Sequence, residues 1–262
     1  MLDRRRPGRD PARDRRAPAE VDRGMTGSLT PPFFEIGPKN LLRRREIESV
    51  AVAAGRAGDD HGVTVLLTVP TALVAPVEGL GCGVRVLGQG MHTDRLGPSM
   101  NRVTAESLAD AGAWGVMLNH DADPLDGTQL ELALRRAAEV GLETVVCAAT
   151  QHEAVRFAAL EPTVVLYEPP SLIGTSGAGR RDWIAASTEA IHRAGHTVLA
   201  MHAGGISTPA TARAVMAAGA DGTGSTSGVL SAPDREAAAR QFIAATRIGW
   251  DEARRARPAT TT

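Results

Sequence analysis

The chain has 262 residues, 43% of them hydrophobic, and a formal net charge of −1 at pH 7. This length suits one globular domain with a full core. No uninterrupted apolar run reaches about 18 residues, which argues against a transmembrane helix. The near-zero charge gives no electrostatic case for a nucleic-acid partner. We expect Cys82 and Cys147 to be buried thiols of a cytoplasmic protein, because two cysteines in so long a chain do not make a disulfide framework.

The two ends of the chain differ in composition from the rest. Residues 1–30 are rich in Arg, Asp, Pro and Ala and poor in large apolar side chains, so we expect a disordered extension without the apolar stretch of a secretory signal. Met25 is an alternative translation start. We therefore predict one globular domain at residues 31–250 and a flexible tail at residues 251–262.

From Pro31 onward, short apolar runs alternate with amphipathic stretches. The predicted strands are Phe33–Ile36, Val63–Val69, Val84–Gln89, Gly115–Leu118, Glu143–Cys147, Val164–Tyr167, Thr197–Met201 and Asp221–Ser225. The predicted helices are Asn40–Gly58, Thr71–Glu78, Thr104–Ala111, Asp126–Val140, Thr150–Leu160, Asp182–Ala194, Thr208–Ala218 and Pro233–Thr246. The glycines expected as left-handed helix caps are Gly58, Gly112, Gly141, Gly195 and Gly219, and the expected N-caps are Thr104, Thr150 and Thr208.

Eight β-α pairs in succession predict the α/β class and, within it, a closed (β/α)8 TIM barrel. An open, doubly wound sheet is the alternative, but no G-x-G-x-x-G follows the first strand. In such barrels the chemistry lies where the strands end and the following loops begin. The candidate functional residues are therefore sought at those eight positions.

Glu168 ends the sixth predicted strand, and Pro169 and Pro170 stop that strand because proline cannot continue the hydrogen-bond ladder. A carboxylate at the end of a buried strand, followed by a loop that can fold over it, is suited to be a general base. The alternative is a strand-end glutamate paired with a neighbouring charge.

Two further strand ends carry candidate polar residues. Lys39, after the first strand, is the only lysine among 29 basic residues, which indicates a place that needs a compact ammonium group rather than a guanidinium group. His120 lies after the fourth strand. A lone surface lysine and an ordinary hydrogen-bonded histidine are the alternatives for these two positions.

The loops after the seventh and eighth strands are rich in glycine and hydroxyl groups, as in the phosphate site of many barrels. The candidate phosphate-binding residues are Gly205, Ser207, Thr226 and Ser227, with Gly174 and Thr175 on the loop after the sixth strand. Ordinary tight turns are the alternative.

From Phe33 to Ala245 the chain resembles the triosephosphate isomerase family, especially its short archaeal form. The segments that carry the resemblance are Phe34–Lys39, Val116–His120, Glu143–Cys147, Tyr167–Thr175, Ala203–Thr208 and Ser227–Val229. The resemblance implies interconversion of dihydroxyacetone phosphate and glyceraldehyde 3-phosphate without a cofactor or metal. It assigns Glu168 as the base, His120 as the electrophile and Lys39 as the active-site lysine. It also implies that residues 169–179 form a lid, and that Gly174, Ser207, Thr226 and Ser227 grip the phosphate.

The chain departs from the family pattern at two positions. Gly37 stands where the family has Asn, and Ala122 stands where it has a Glu that partners the lysine, a role open to Asp121 or Asp123. Three alternatives to triose phosphate isomerisation stay open: isomerisation of another small phosphorylated sugar, a metal-dependent enzyme and a phosphate-binding protein without activity. The metal alternative rests on His92, His120 and His202.

The expected partner is a small phosphorylated sugar, with no nucleic acid and no membrane. The family resemblance also implies a homo-oligomer, a dimer or a tetramer, for which His92–Arg102 is the expected interface loop.

Overall fold

The computed structural model describes residues 28–172 and 182–256 of the chain. Its eight strands are all parallel, and each pairs with the next until β8 returns to β1 and closes a barrel. The strands are β1 (Phe33–Ile36), β2 (Thr64–Val69), β3 (Arg85–Gly88), β4 (Gly115–Leu118), β5 (Glu143–Ala148), β6 (Val164–Tyr167), β7 (Leu199–His202) and β8 (Gly222–Gly224). The predicted TIM barrel is therefore confirmed.

Helices surround the barrel and follow the strands in order. They are α1 (Arg44–His61), α2 (Val74–Glu78), α3 (Ala105–Asp110), α4 (Gly127–Glu139), α5 (Gln151–Ala158), α6 (Trp183–Ala194), α7 (Pro209–Ala217), α8 (Ser227–Leu230) and α9 (Arg235–Ala256). A 3₁₀ turn precedes α2 at Thr71–Leu73, and another follows β6 at Pro170–Leu172. The short helix α8, inside the glycine- and hydroxyl-rich loop after β8, was not predicted.

The predicted N-caps are confirmed. The hydroxyl groups of Thr104, Thr150 and Thr208 each accept a hydrogen bond from the backbone N–H three residues later. These bonds satisfy donors that the first turn of a helix leaves without partners. The caps place the starts of α3, α5 and α7 directly after the loops that follow β3, β5 and β7.

Two of the predicted glycine caps are wrong. Helix α1 starts at Arg44 rather than at Asn40 and continues through Gly58 to His61, so its left-handed cap is Gly62, with φ of 61°. Gly58 packs against the next strand, because a Cβ there would lie 2.8 Å from the carbonyl oxygen of Val63. Gly195 ends α6 in an extended conformation with φ of −132°. A Cβ at Gly195 would lie 2.4 Å from the carbonyl oxygen of Ala158 in α5. In both cases close packing against a neighbouring segment, rather than chain reversal, accounts for the glycine.

The barrel buries two sets of apolar side chains. The larger set lies between strands and helices, and it includes Phe34 and Ile36 of β1. The smaller set fills the barrel interior and includes Phe33 of β1, Leu66 of β2 and Val145 of β5. Alternate residues of a strand point to opposite faces, so β1 directs Phe33 and Glu35 inward.

Glycines of β8 make room for the inward side chains of β1. A Cβ at Gly222 would lie 2.2 Å from Cε2 of Phe33, and a Cβ at Gly224 would lie 3.1 Å from Cβ of Glu35. The two strands pair directly, with Phe33 opposite Gly222 and Glu35 opposite Gly224. The barrel interior therefore has room for both the Phe33 ring and the Glu35 side chain of β1.

The ends of the described chain differ from the sequence-based boundaries. Leu29, within the segment expected to be disordered, is 6% exposed and packs in the interior set. Helix α9 continues beyond the predicted Thr246 to Ala256, and Glu252 on its last turns pairs with Arg213 of α7. Residues 1–27 and 257–262, which include most of the predicted extension, the alternative start Met25 and the end of the predicted tail, lie outside the described residues.

Within the described ranges, no helix is both long and apolar enough to cross a membrane. Cys147 is buried in the barrel, as expected, but Cys82 is only partly buried and the expectation for it is wrong. Cys82 lies in the loop that leads into β3, where packing by α1 covers one side of the chain.

Candidate active site

A cavity of about 470 Å³ opens at the carboxyl ends of the strands. Its walls include Lys39 after β1, His120 after β4 and Glu168 after β6. These three residues are far apart in sequence, and barrel closure brings them to one hollow. The structure thus places the three predicted catalytic residues together.

Glu168 follows the last residue of β6, and its backbone N–H donates to the carbonyl of Ala148 at 3.0 Å, which continues the ladder with β5. Gly204, with φ of 87°, leaves room for its side chain, because a Cβ there would lie 3.2 Å from Cγ of Glu168. Burial raises the pKa of the Glu168 carboxyl, the positive charge of Lys39 lowers it, and Asp121 raises it. A base with a raised pKa holds a removed proton more firmly than a solvated carboxylate does.

Asn119 holds the loop that presents His120. The Asn119 amide donates to the carbonyl of Cys147 at 2.9 Å and accepts from the backbone N–H of Leu125 at 2.9 Å, while its φ is 57°. A left-handed backbone is unusual for a residue other than glycine. These two hydrogen bonds fix the direction in which the chain leaves β4.

The surroundings of His120 favour the neutral form of its imidazole. Burial and the nearby Lys39 lower its pKa, against the opposite effects of Asp121 and Asp123. The backbone N–H of Ala122 donates to Nδ1 at 3.0 Å, whereas Oδ1 of Asp121 lies 2.7 Å from the same nitrogen. These contacts require opposite tautomers. We assign the proton to Nε2, because the backbone donor is fixed while the Asp121 side chain, 59% exposed, is free to turn into solvent.

Lys39 has a left-handed backbone, with φ of 49°, in the loop after β1. Its carbonyl accepts a hydrogen bond from Nε2 of Gln89 at 2.8 Å. Asp123 lines the same cavity, but within the described residues no ion pair shorter than 4.0 Å joins Lys39 to Asp121 or Asp123. Strained backbone of this kind is common at functional sites.

The candidate phosphate loops form another part of the wall. Gly205, Thr226 and Ser227 line the cavity, whereas Ser207 lies just beyond the lining residue Ile206. The Thr226 hydroxyl donates to the carbonyl of Gly37 at 3.0 Å and so ties the loop after β8 to the loop after β1. The predicted lid spans residues 169–179, and its part from residue 173 onward, with Gly174 and Thr175, lies outside the described residues.

Sequence reasoning missed one carboxyl group of the cavity. Glu35 of β1 lines the cavity and is 6% exposed. The Thr68 hydroxyl donates to its Oε1 at 2.6 Å. Burial raises the pKa of Glu35 to about 7, with Glu168 adding to the rise and Thr68 and Lys39 opposing it. The sequence signal that could have identified Glu35 is that it is the single charged residue in an otherwise apolar strand.

The three histidines of the metal hypothesis do not converge. His202 points outward from β7 and lies fully buried against α6, with Nε2 2.8 Å from the Thr188 hydroxyl and the Trp183 ring centroid 5.3 Å away. His92 accepts at Nδ1 from the backbone N–H of Val103 and closes its own loop. Over the described ranges, no group of three His, Cys, Asp or Glu residues could hold a metal ion. His202 therefore does not join His120 at the cavity, because the inward residues of β7 are Leu199 and Met201.

Comparison with known proteins extends these observations. The family model described as triosephosphate isomerase matches residues 39–242. The triosephosphate isomerase of Cenarchaeum symbiosum is 30% identical over 219 residues, which cover 82% of this chain and 97% of the relative. That of Methanopyrus kandleri is 31% identical over 215 residues, which cover 80% of this chain and 92% of the relative.

A solved structure shows the same fold. The crystal structure of triosephosphate isomerase from Bartonella henselae superposes with a TM-score of 0.59 at 19% identity, covering 75% of this chain and 92% of the other. Fold and site together define a (β/α)8-barrel enzyme with a carboxylate, an imidazole and an ammonium group around one cavity. The chain belongs to the triosephosphate isomerase family, whose members are isomerases.

Proposed function

We propose that this protein interconverts dihydroxyacetone phosphate and glyceraldehyde 3-phosphate, with Glu168 as the base. The observation that carries the proposal is the meeting of Glu168, His120 and Lys39 at one cavity. Membership of the family supports the same reaction and a place in glycolysis and gluconeogenesis.

The reaction moves a carbonyl group between adjacent carbons. Glu168 takes a proton from the carbon beside the carbonyl, the electron pair of that C–H bond forms a carbon–carbon double bond, and the carbonyl oxygen becomes an enediolate oxygen. The Nε2–H of His120 donates to the enediolate oxygens, and the ammonium group of Lys39 offsets their negative charge. The Nε2 proton of His120 passes to the former carbonyl oxygen, and Nε2 takes the proton of the original hydroxyl group as the new carbonyl forms. Glu168 returns its proton to the former carbonyl carbon, so the substrate keeps every atom. No proton or electron is gained or lost overall, so the cycle needs no cofactor.

The phosphate group belongs at the loops after β7 and β8. Gly205, Thr226 and Ser227 line that part of the cavity, and Ser207 lies beside it. Gly174 and Thr175 are proposed, on the family resemblance, to close over the same group. Exclusion of water by such a loop would strengthen every interaction with the enediolate and prevent side reactions.

The test compares the wild-type protein with Glu168→Gln in a coupled assay of triose phosphate turnover. Loss of the base should lower kcat on the order of 10²–10⁴-fold with little change in KM. Glu189→Gln, on the exposed face of α6, is the matched control and should keep wild-type kcat. Full activity of Glu168→Gln would contradict the assignment of the base. Phosphate binding by a wild-type protein without turnover would instead support the alternative of an inactive relative.

A second candidate function is isomerisation of a different small phosphorylated sugar. The Glu35 carboxyl beside Gly37 favours it, because this polar group inside the cavity changes which substrate hydroxyl groups can be bound. A panel of tetrose and pentose phosphates, ranked by kcat/KM against the triose phosphates, separates the two functions.

We further propose that the protein is a cytoplasmic homo-oligomer. Large apolar side chains are exposed in the loops after β1 and β3: Leu41 at 67%, Leu96 at 72% and Met100 at 85%. Such exposure favours a contact with a second copy. Analytical ultracentrifugation should find an oligomer for the wild type and a smaller species for the double substitution Leu96→Asp, Met100→Asp. A monomeric wild type would contradict the proposal. The free thiols of Cys82 and Cys147 support the cytoplasmic location.

A further inference from the structure

Glu35 is a carboxyl group built into the interior of the barrel. It is the inward residue at the carboxyl end of β1, it is 6% exposed, and it lines the cavity together with Glu168 and Lys39. Burial of a carboxyl group lowers stability unless the group is paired or hydrogen-bonded. Among the described residues, the Thr68 hydroxyl is its hydrogen-bond partner, at Oε1. A packing role alone therefore does not account for a carboxyl group at this position.

The space around Glu35 is shaped by two glycines. A Cβ at Gly37 would lie 3.0 Å from Oε1 and 3.5 Å from Oε2 of Glu35, and 3.6 Å from Oγ1 of Thr226. A Cβ at Gly224 would lie 3.1 Å from Cβ of Glu35. The carboxyl group thus occupies the volume that a side chain at position 37 would need. It also lies beside the loops that we assign to the phosphate.

The electrostatic surroundings let this group both donate and accept hydrogen bonds. Three carboxyl groups, those of Glu35, Glu168 and Asp123, face the same cavity as Lys39. Burial together with Glu168 raises the pKa of Glu35 to about 7. Near neutral pH the protonated and ionised forms of Glu35 are therefore both populated. The protonated form donates to a carbonyl oxygen, and the ionised form accepts from a hydroxyl group.

We propose that Glu35 contacts the substrate directly, binding a hydroxyl or carbonyl oxygen of the carbon chain, and that it selects phosphorylated hydroxycarbonyl compounds by the position of that oxygen. This proposal rests on the proposed isomerase function and names a specificity residue for it. Thr68 is the positioning residue, because its hydroxyl fixes the orientation of the carboxyl group. The proposed contact is to an oxygen of the carbon chain and not to the phosphate group, so we expect binding of inorganic phosphate not to depend on it.

The test compares the wild type with Glu35→Leu, Glu35→Gln and the control Glu189→Gln on exposed α6. Calorimetry measures the binding of glycerol 3-phosphate, a hydroxylated phosphate that cannot react, and of inorganic phosphate. Glu35→Leu should weaken glycerol 3-phosphate binding by about tenfold, since a substrate oxygen loses its partner, and should leave phosphate binding unchanged. Equal affinity of wild type and Glu35→Leu for glycerol 3-phosphate would overturn the proposal.

Turnover gives a second, independent readout. Glu35→Leu should raise KM for the preferred substrate and change the ranking of triose, tetrose and pentose phosphates by kcat/KM. Glu35→Gln should keep most of the affinity but remove the inflection near pH 7 from the pH profile of kcat/KM, because an amide does not titrate. If Glu35→Leu fails to fold, Glu35→Gln decides: a pH profile and substrate ranking equal to those of wild type overturn the proposal.

The two proposals can fail separately. A wild type that turns over none of the sugar phosphates, while Glu35→Leu still weakens glycerol 3-phosphate binding, contradicts the isomerase function and supports the contact. An active wild type with an equally active Glu35→Leu of unchanged specificity contradicts the contact and supports the isomerase function.

Discussion

Glu35 and Glu168 approach one cavity from β1 and β6, and burial raises the pKa of both. The positive charge of Lys39 lowers both pKa values and so favours the ionised form of each carboxyl group. Pairs of carboxyl groups with different surroundings divide acid and base roles in many enzymes. At the scale of single residues, burial and the charge of Lys39 thus act in opposite directions on the pKa values of the two glutamates.

Glu35 should make the protein less stable as the pH rises. Its pKa is about 7 in the folded protein, against an ordinary value of 4.5, so between these values the folded state binds more protons than the unfolded state. Its favourable contribution is complete below about pH 4.5 and is lost as the pH rises through 7, a change of about 3 kcal/mol. Denaturant unfolding at pH 5 and pH 8 should show a smaller loss of stability for Glu35→Gln than for wild type. Equal losses would contradict the raised pKa.

Lys39 should set the titration of Glu168. Its charge lowers the pKa of that carboxyl, against the effect of burial. Replacement of Lys39 by the neutral methionine should therefore move the Glu168 titration to higher pH, as followed by carbon-13 NMR of the side-chain carboxyl. Lys39→Arg, which keeps the charge, is the matched control and should shift it less. A Glu168 titration that is identical in Lys39→Met and wild type would show that the lysine does not act on this base.

At the scale of the elements, strand β8 carries two glycines that make room for the inward side chains of β1. Phe33 and Glu35 lie directly opposite Gly222 and Gly224. The short strand β8 therefore admits both the interior ring of Phe33 and the carboxyl group of Glu35.

Gly222→Ala should destabilise the barrel strongly. The new Cβ would lie 2.2 Å from Cε2 of Phe33, with two further ring atoms at 2.4 Å, and close-packed interiors accommodate such overlap only by moving backbone. We expect a loss of at least about 2 kcal/mol in the free energy of unfolding. Gly127→Ala, at the start of α4, is the matched control, because no atom lies within 4 Å of its added Cβ. That variant should be equal to wild type or more stable by up to about 1 kcal/mol. Equal stability of the two variants would be evidence against the tight packing of Phe33.

Helix boundaries show how local signals compete with packing. Thr104, Thr150 and Thr208 were predicted correctly as caps, because a side chain that bonds its own helix needs no other part of the fold. Gly58 and Gly195 were predicted wrongly as caps, since these glycines are required by close contacts with Val63 and Ala158 in neighbouring segments. Sequence reasoning missed Glu35 for the same reason. Its role depends on Gly37, Gly224 and Thr68, which come together around it only when the barrel closes.

At the scale of the whole molecule, the amino ends of the strands are also closed. Leu29 packs with Phe33 in the interior set, and Arg85 at the start of β3 lies 4.9 Å from the centroid of the Trp114 ring. Arg85 also donates to the carbonyl of Ser28 at 3.5 Å. The segment before β1 thus covers the barrel interior at the end opposite the candidate site.

Leu29→Ala should cost about 2–4 kcal/mol in the free energy of unfolding, because it leaves a cavity at the end of the packed interior. Leu132→Ala on α4, where the leucine is 36% exposed, is the control and should cost less than about 1 kcal/mol. Denaturant unfolding measures both. If Leu29→Ala costs no more than the control, the segment before β1 does not take part in the core.

The family match covers residues 39–242 and so begins after β1. Lys39, His120 and Glu168 fall within it, whereas Glu35 and Gly37 lie before it.

The sequence by itself determined the order of eight strands and eight helices, the closed barrel, and the three strand ends that carry Lys39, His120 and Glu168. These features follow from local signals: apolar runs, helix caps and polar residues at the ends of strands. Only the tertiary structure decided that Glu35 faces the cavity and that His202 faces α6. The physical reason is that barrel strands are buried on both faces, so their sequences lack the alternation that would reveal which side points inward.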